Sequence, residues 1–132
     1  MLLLSKNLEP LRAAAMSEID VSAGEFRKLF ITSIPGQEMV YQQKRVEAEL
    51  LITDPATAHA TIPHIVAEAS LNGIEPFDQA VIVLTMAEQW TVLSAQIEAK
   101  RLGAKAAVRV ASNPAQIRQA AAIDWSSIGE AQ

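Results

Sequence analysis

The sequence predicts an all-α protein, a helical bundle in which an N-terminal antiparallel helix hairpin packs on one long helix. Three observations carry that expectation. Between Phe77 and Ser112 no proline interrupts the chain, and Gly103 is the only residue there that disfavours a helix. Along this run Val83, Met86, Trp90, Leu93, Ile97, Ala104, Val108 and Ala111 recur mostly at steps of three or four, which draws an apolar stripe down one helix face. Half of the 132 residues are hydrophobic yet only six are aromatic, and alanine and straight-chain residues, which lose little freedom in a helix, dominate.

The elements follow from the punctuation. A first helix is expected over 7–33, capped by Asn7 with Pro10 tolerated in its opening turn, and lined by Leu8, Leu11, Ala15, Ile19, Ala23, Phe26 and Phe30. Ser33-Ile34-Pro35-Gly36 ends it, since proline biases Ile34 away from helix. A second helix is expected over 37–52, with Tyr41, Ala48 and Ile52 on one face and Met39, Val46 and Leu50 on another. A proline corner at Thr53–Thr57 leads to a short third helix over 62–72, with Thr61 as cap, Ile65, Val66 and Ala69 inward, and Asn72-Gly73 as the stop. Pro76 opens the long helix, expected to reach residue 111 and a length of roughly 50 Å. Asn113-Pro114-Ala115-Gln116 reads as a capping box for a last helix over 114–124. The short connection between the first two helices makes them an antiparallel pair. The core is expected at Ile19, Phe26, Phe30, Tyr41, Ala48, Leu84, Trp90, Leu93 and Ile97.

Length fits a single domain, expected over 1–125 with a tail at 126–132, and allows a real core. A net charge of −4 argues against nucleic acid, which needs clustered lysine and arginine. With no cysteine there is no disulfide, thiolate metal site or cysteine nucleophile. Met1-Leu2-Leu3-Leu4 is too short for a signal-peptide core, and no membrane association is expected.

Chemistry is sparse. His59 and His64 are five apart, which is not the spacing of a helical metal pair, and they read as solvent-exposed polar residues. No Gly-x-Ser-x-Gly turn and no phosphate-cradling glycine loop occurs. Glu18, Asp20 and Glu25, like Glu47 and Glu49, read as solvated helix faces. No catalytic residue, metal ligand or cofactor site is therefore expected, and no small-molecule substrate.

Basic residues Lys100, Arg101, Lys105 and Arg109 form a strip along the second half of the long helix, read as support for the helix C-terminal half and for solubility. The expected contact surface lies on the same segment. A helix this long outreaches the two helices available to cover it, so Ala104, Ala107, Val108 and Ala111 would stay exposed as a partner contact with Leu102 as a larger anchor. The competing arrangement turns the last helix at Asn113-Pro114 onto this stripe. Trp125 either docks onto its own bundle, the favoured arrangement, or inserts into a neighbour.

The residues 11–20 (Leu-Arg-Ala-Ala-Ala-Met-Ser-Glu-Ile-Asp), Phe26, the run from Gly36 to Lys44, and Glu47-Ala48 form one recognisable pattern. It continues through Pro63, Ala67-Glu68-Ala69, Gly73, Trp90, Ile97-Glu98, Arg101, Lys105-Ala106-Ala107 and Ile123-Asp124-Trp125. Over about residues 11 to 125 this resembles an uncharacterised helical module of bacteriophage and prophage tail-fibre and tail-fibre assembly proteins. The resemblance implies a non-enzymatic structural or assembly protein, a helical component or chaperone of the tail. Its partners would be other phage tail proteins or itself, as a homo-oligomer, in the virion or the host cytoplasm during assembly. It implies no catalytic residues. The alternative is a small phage-encoded regulator that binds and inhibits a host system.

Overall fold

The computed structural model describes residues 7–31 and 37–128, and among them every regular element is helical. In chain order these are α1 (Glu9–Arg27), α2 (Gln37–Thr53), a 3-10 turn (His59–Thr61), α3 (Pro63–Asn72), α4 (Pro76–Val110) and α5 (Pro114–Ala121). The all-α expectation holds. The long helix α4 runs 35 residues without a break, about 52 Å at the usual rise.

The chain forms two compact units. The first holds the residues up to Ile31 together with those from Leu93 onward, and the second runs from Thr32 to Val92. α4 serves both, with residues 93–110 in the first and 76–92 in the second. The two helices expected as a hairpin thus belong to different units, where α1 lies against α5 and α2 against α3.

The first unit closes around Leu8, Ala15, Ile19, Val108, Ala111, Ile117 and Ala121. Ala15, Ile19 and Ala23 repeat every fourth residue on α1, and the two alanines keep that face narrow. α4 ends where Arg12 donates from Nη2 to the Ala111 carbonyl (2.8 Å), which satisfies a terminal acceptor and places a cation at the helix C-terminus. The capping box forms as expected: Asn113 accepts from the Gln116 N–H at 2.9 Å. Gln116 reaches back one residue further than the usual box, accepting from the Ser112 N–H and hydroxyl.

The second unit closes around Ala48 and Leu51 of α2, Ile62 and Ile65 at the start of α3, and Ala80 and Val83 of α4. α3 stops at Gly73, whose φ of 68° suits a residue without a Cβ. The Ile74 N–H then donates to the Ala69 carbonyl and the Gly73 N–H to that of Ser70, the two bonds of a Schellman ending.

Four local expectations are corrected. Asn7 does not cap α1: the cap position is Leu8, without a side-chain bond, because Leu8 is drawn into the core. α1 ends at Arg27 rather than 33, where tighter bonds from Leu29 to Phe26 and from Phe30 to Arg27 close a turn. Leu29 and Phe30 there meet solvent, Phe30 resting edge-on against Phe26 with ring centroids 5.2 Å apart. Thr61 bonds backward to the Ala58 carbonyl instead of capping α3. In the expected core, Ile19, Ala48 and Ile97 are buried, whereas Phe26, Leu84, Trp90 and Leu93 are half-buried and Phe30 and Tyr41 exposed. The fully buried side chains are mostly aliphatic instead. The expected turn at Ser33–Gly36 lies outside the described residues.

Candidate functional site

Val108 and Ala111 are buried, because α5 turns back at Pro114 and sets Ile117 and Ala121 into the same cluster. The expectation that they remain open for a partner is corrected accordingly; the chain's own last helix occupies that stripe. Ala104 is partly buried against the cluster, and Leu102 and Ala107 point to solvent. Trp125 docks within its own unit: the indole stacks on Phe26 (centroids 4.9 Å apart, planes 12° apart) and Nε1 donates to the Ser22 hydroxyl at 2.8 Å.

Two of the four residues of the basic strip, Arg101 and Lys105, are tied down in the same unit. Arg101 donates to Glu98 (2.8 and 2.9 Å) and to Asp20 (2.8 Å), Lys105 reaches Asp20, and Arg27 reaches Glu98 at 3.2 Å. Arg101, helped by Arg27, holds the Glu98 carboxyl down from 4.5 to about 2, and Lys105 and Arg101 hold Asp20 below its ordinary range. Both folded values lie below the unfolded ones, so this contribution to stability is complete above pH 4.5 and lost as pH falls toward about 2. Thermal melts by circular dichroism should therefore be flat above that window and drop within it. Glu98→Gln should flatten part of the drop, and high salt should shrink it, since these pairs are partly solvent-exposed. An unchanged acid limb in Glu98→Gln would remove this network from the account.

In the second unit the sequence conceals a buried acid. Glu47, expected on a solvated face, is fully buried. α3 begins with Pro63, which has no N–H, and its cap position is the apolar Ile62, so the next two amides lack a local acceptor. Glu47 of α2 supplies it: Oε1 accepts from the N–H groups of His64 (2.8 Å) and Ile65 (3.1 Å). Its Oε2 accepts from His64 Nδ1 (2.7 Å) and Gln43 Nε2 (3.0 Å). Burial pushes this carboxyl up, but the donors from Gln43, Ile65 and His64 outweigh it and hold it below 4.5. His64, expected as a solvent-exposed polar residue, keeps 41% of its side chain exposed and is oriented through Nδ1–H. Beside this cap a second chain links three helices: Lys44 meets Glu68 at 2.7 Å, Gln79 donates to Glu68, and Asn72 donates to the buried Gln79.

A carboxylate-oriented histidine also occurs in catalytic centres, but there a nucleophile or metal completes it. Among the described residues no hydroxyl hydrogen-bonds to His64, and no group of three metal-ligating side chains converges. What the geometry shows is Glu47 capping α3 and orienting the His64 ring. The sequence signal for this cap was Glu47 beside Ala48 and four before Leu51, on the buried face of α2.

The second unit also presents apolar side chains outward. On α4, Phe77, Val81, Ile82, Met86 (62% exposed) and Val92 (47%) meet solvent, and on α2 so do Met39, Val46 and Leu50. A shallow groove of about 300 Å³ runs between the two helices, lined by Arg45 and Glu49 of α2 and by Leu84, Ala87, Glu88, Thr91 and Val92 of α4. By length and composition α4 is also apolar enough to cross a membrane: an 18-residue window has mean hydropathy 1.3 with 17% of it buried, although the sequence reading expected no membrane association. No protein-family model, no curated protein and no solved structure matches this chain significantly. The class that fold and surface define is an all-α protein with exposed apolar side chains on α2 and the first half of α4.

Proposed function

We propose that the protein works without catalysis, through protein–protein contacts, as a helical component or assembly chaperone of a phage tail or tail fibre. The observation that supports a contact role is the run of exposed apolar side chains on α2 and the first half of α4. Isolated apolar residues are ordinary on a surface, whereas several along one side of a helix, as Met39, Val46 and Leu50 are on α2, support a contact role. The assignment to a tail rests on the resemblance over residues 11 to 125 alone.

Size-exclusion chromatography with light scattering tests this on the purified full chain mixed with tail and tail-fibre proteins encoded beside it. A complex with one of them is expected, and Val92→Asp should abolish it while leaving the helical spectrum intact. A chain that ignores every virion component would sink the tail assignment and favour the regulator of a host system.

A further inference from the structure

We propose that the groove between α2 and the first half of α4 takes a cationic amphipathic helix of a partner protein. This rests on the contact reading above and names the partner's chemistry. On α4, Phe77, Val81, Leu84, Glu88 and Val92 follow one another at steps of three and four, so they share a side of the helix over about 22 Å, of which Leu84, Glu88 and Val92 line the groove and Phe77 and Val81 extend the row beyond it. That is the length of a four-turn helix, and a helix laid into an apolar groove is read through anchors at this same spacing.

Glu88 decides the sign of the partner. It sits between Leu84 and Val92 on the groove and has no ion-pair partner among the described residues. An occupant that covers the apolar residues also removes water from Glu88, and an unpaired carboxylate out of water is costly unless a cation meets it. The rest of the unit points the same way. Residues 32–92 carry eight carboxylates against two cations, Lys44 and Arg45, and both cations are already paired, with Glu68 and Glu49. The surface therefore has acid to offer and no free base.

These facts discriminate among occupants. A second copy laid groove to groove would bring the Glu88 carboxylates toward each other, and the cations beside its groove, Lys44 and Arg45, are already held by Glu68 and Glu49. A bilayer would have to take Glu88 into its hydrocarbon near the middle of the apolar window. A partner helix with leucine-like anchors on one side and lysine or arginine along its edge satisfies both the apolar side chains Leu84, Ala87 and Val92 and the Glu88 beside them.

The test uses the full chain and a fluorescent 15-residue peptide of leucine and lysine in amphipathic helical spacing, with a twin carrying glutamate at each lysine. Anisotropy should show binding of the cationic peptide, weakened by salt, and none of the twin. Glu88→Lys should weaken it by about tenfold or more, as removal of a central charge contact does. Val92→Asp separates docking from diffuse attraction: it adds negative charge, so diffuse attraction would tighten binding, whereas a lost anchor weakens it. Tightening, or equal binding of the two peptides, overturns the proposal. So does self-association of the free chain that Val92→Asp abolishes, which would make the occupant a second copy. Binding to phosphatidylcholine vesicles that Val92→Asp abolishes overturns it in favour of a lipid surface. If the cationic peptide fails while a tail protein still binds in a Val92-dependent way, the partner chemistry is wrong and the contact reading stands.

Discussion

Glu47→Ala is expected to destabilise the protein by about 3–5 kcal/mol, the range for breaking one side of a buried charged network. The loss has three parts. The amides of His64 and Ile65 at the start of α3 lose their acceptor in a place where Pro63 and Ile62 offer no other. The His64 ring and the Gln43 amide lose theirs, and a void opens beside Ala48 and Leu51. An unsatisfied buried donor costs about 1–3 kcal/mol by itself. Glu47→Gln keeps one carbonyl oxygen for the two amides, but its NH2 now faces two donors, so an intermediate loss is expected unless Gln43 and His64 reorient. Urea unfolding at neutral pH measures the series. An alanine variant within about 1 kcal/mol of the parent would mean that α3 is capped by something other than Glu47. The loss should also narrow in acid, because the parent's Glu47 is held below 4.5 in the folded state and its contribution disappears as it protonates.

The same residue shows how far the sequence could be read. Helix positions were legible because they depend on local period and on Pro, Gly and Asn at helix ends: Gly73, Pro76 and the Asn113 box all do what they announce. Tertiary devices are different. Whether Glu47 faces water depends on α3 arriving beside α2 with an uncapped N-terminus, and the two lie 17 residues apart. Arg12 capping α4 across 99 residues is hidden for the same reason. The core expectation erred toward aromatics, since size argues for burial. Here alanine-rich faces let helices approach closely and close around isoleucine and valine, which leaves Phe30 and Tyr41 at the margin. The contact surface was misplaced through length. The far end of α4 is covered instead by the start of α1, with Leu8 and Ala15, and by α5, which the turn at Asn113-Pro114 brings back over it. The stretch with an open face is the other end, where α4 carries Val81 and Val92 beside Glu88.

Val108→Glu is expected to unfold the first unit at neutral pH. Val108 has no exposed surface and sits in a cluster made of Leu8, Ala15, Ile19, Ala111, Ile117 and Ala121, none of which can pair with a charge. Placing a carboxylate there costs several kcal/mol after relaxation, out of a total that is typically about 5–15 kcal/mol for a domain. Val108→Ala should cost only about 2 kcal/mol, which separates lost packing from buried charge. Leu102→Glu, on the exposed side of the same helix segment, should stay within about 0.5 kcal/mol. The pH dependence supplies the decisive reading. A buried glutamate has its folded pKa raised, so the folded state binds the extra proton and the penalty is relieved as pH falls. The variant should then gain stability between about pH 7 and 5, a range in which the parent is flat. Circular dichroism melts across that range measure both. If Val108→Glu kept the parent's melting temperature and lost only an assembled state, this end of α4 would be an interface between chains, and the docking of α5 onto it would be wrong.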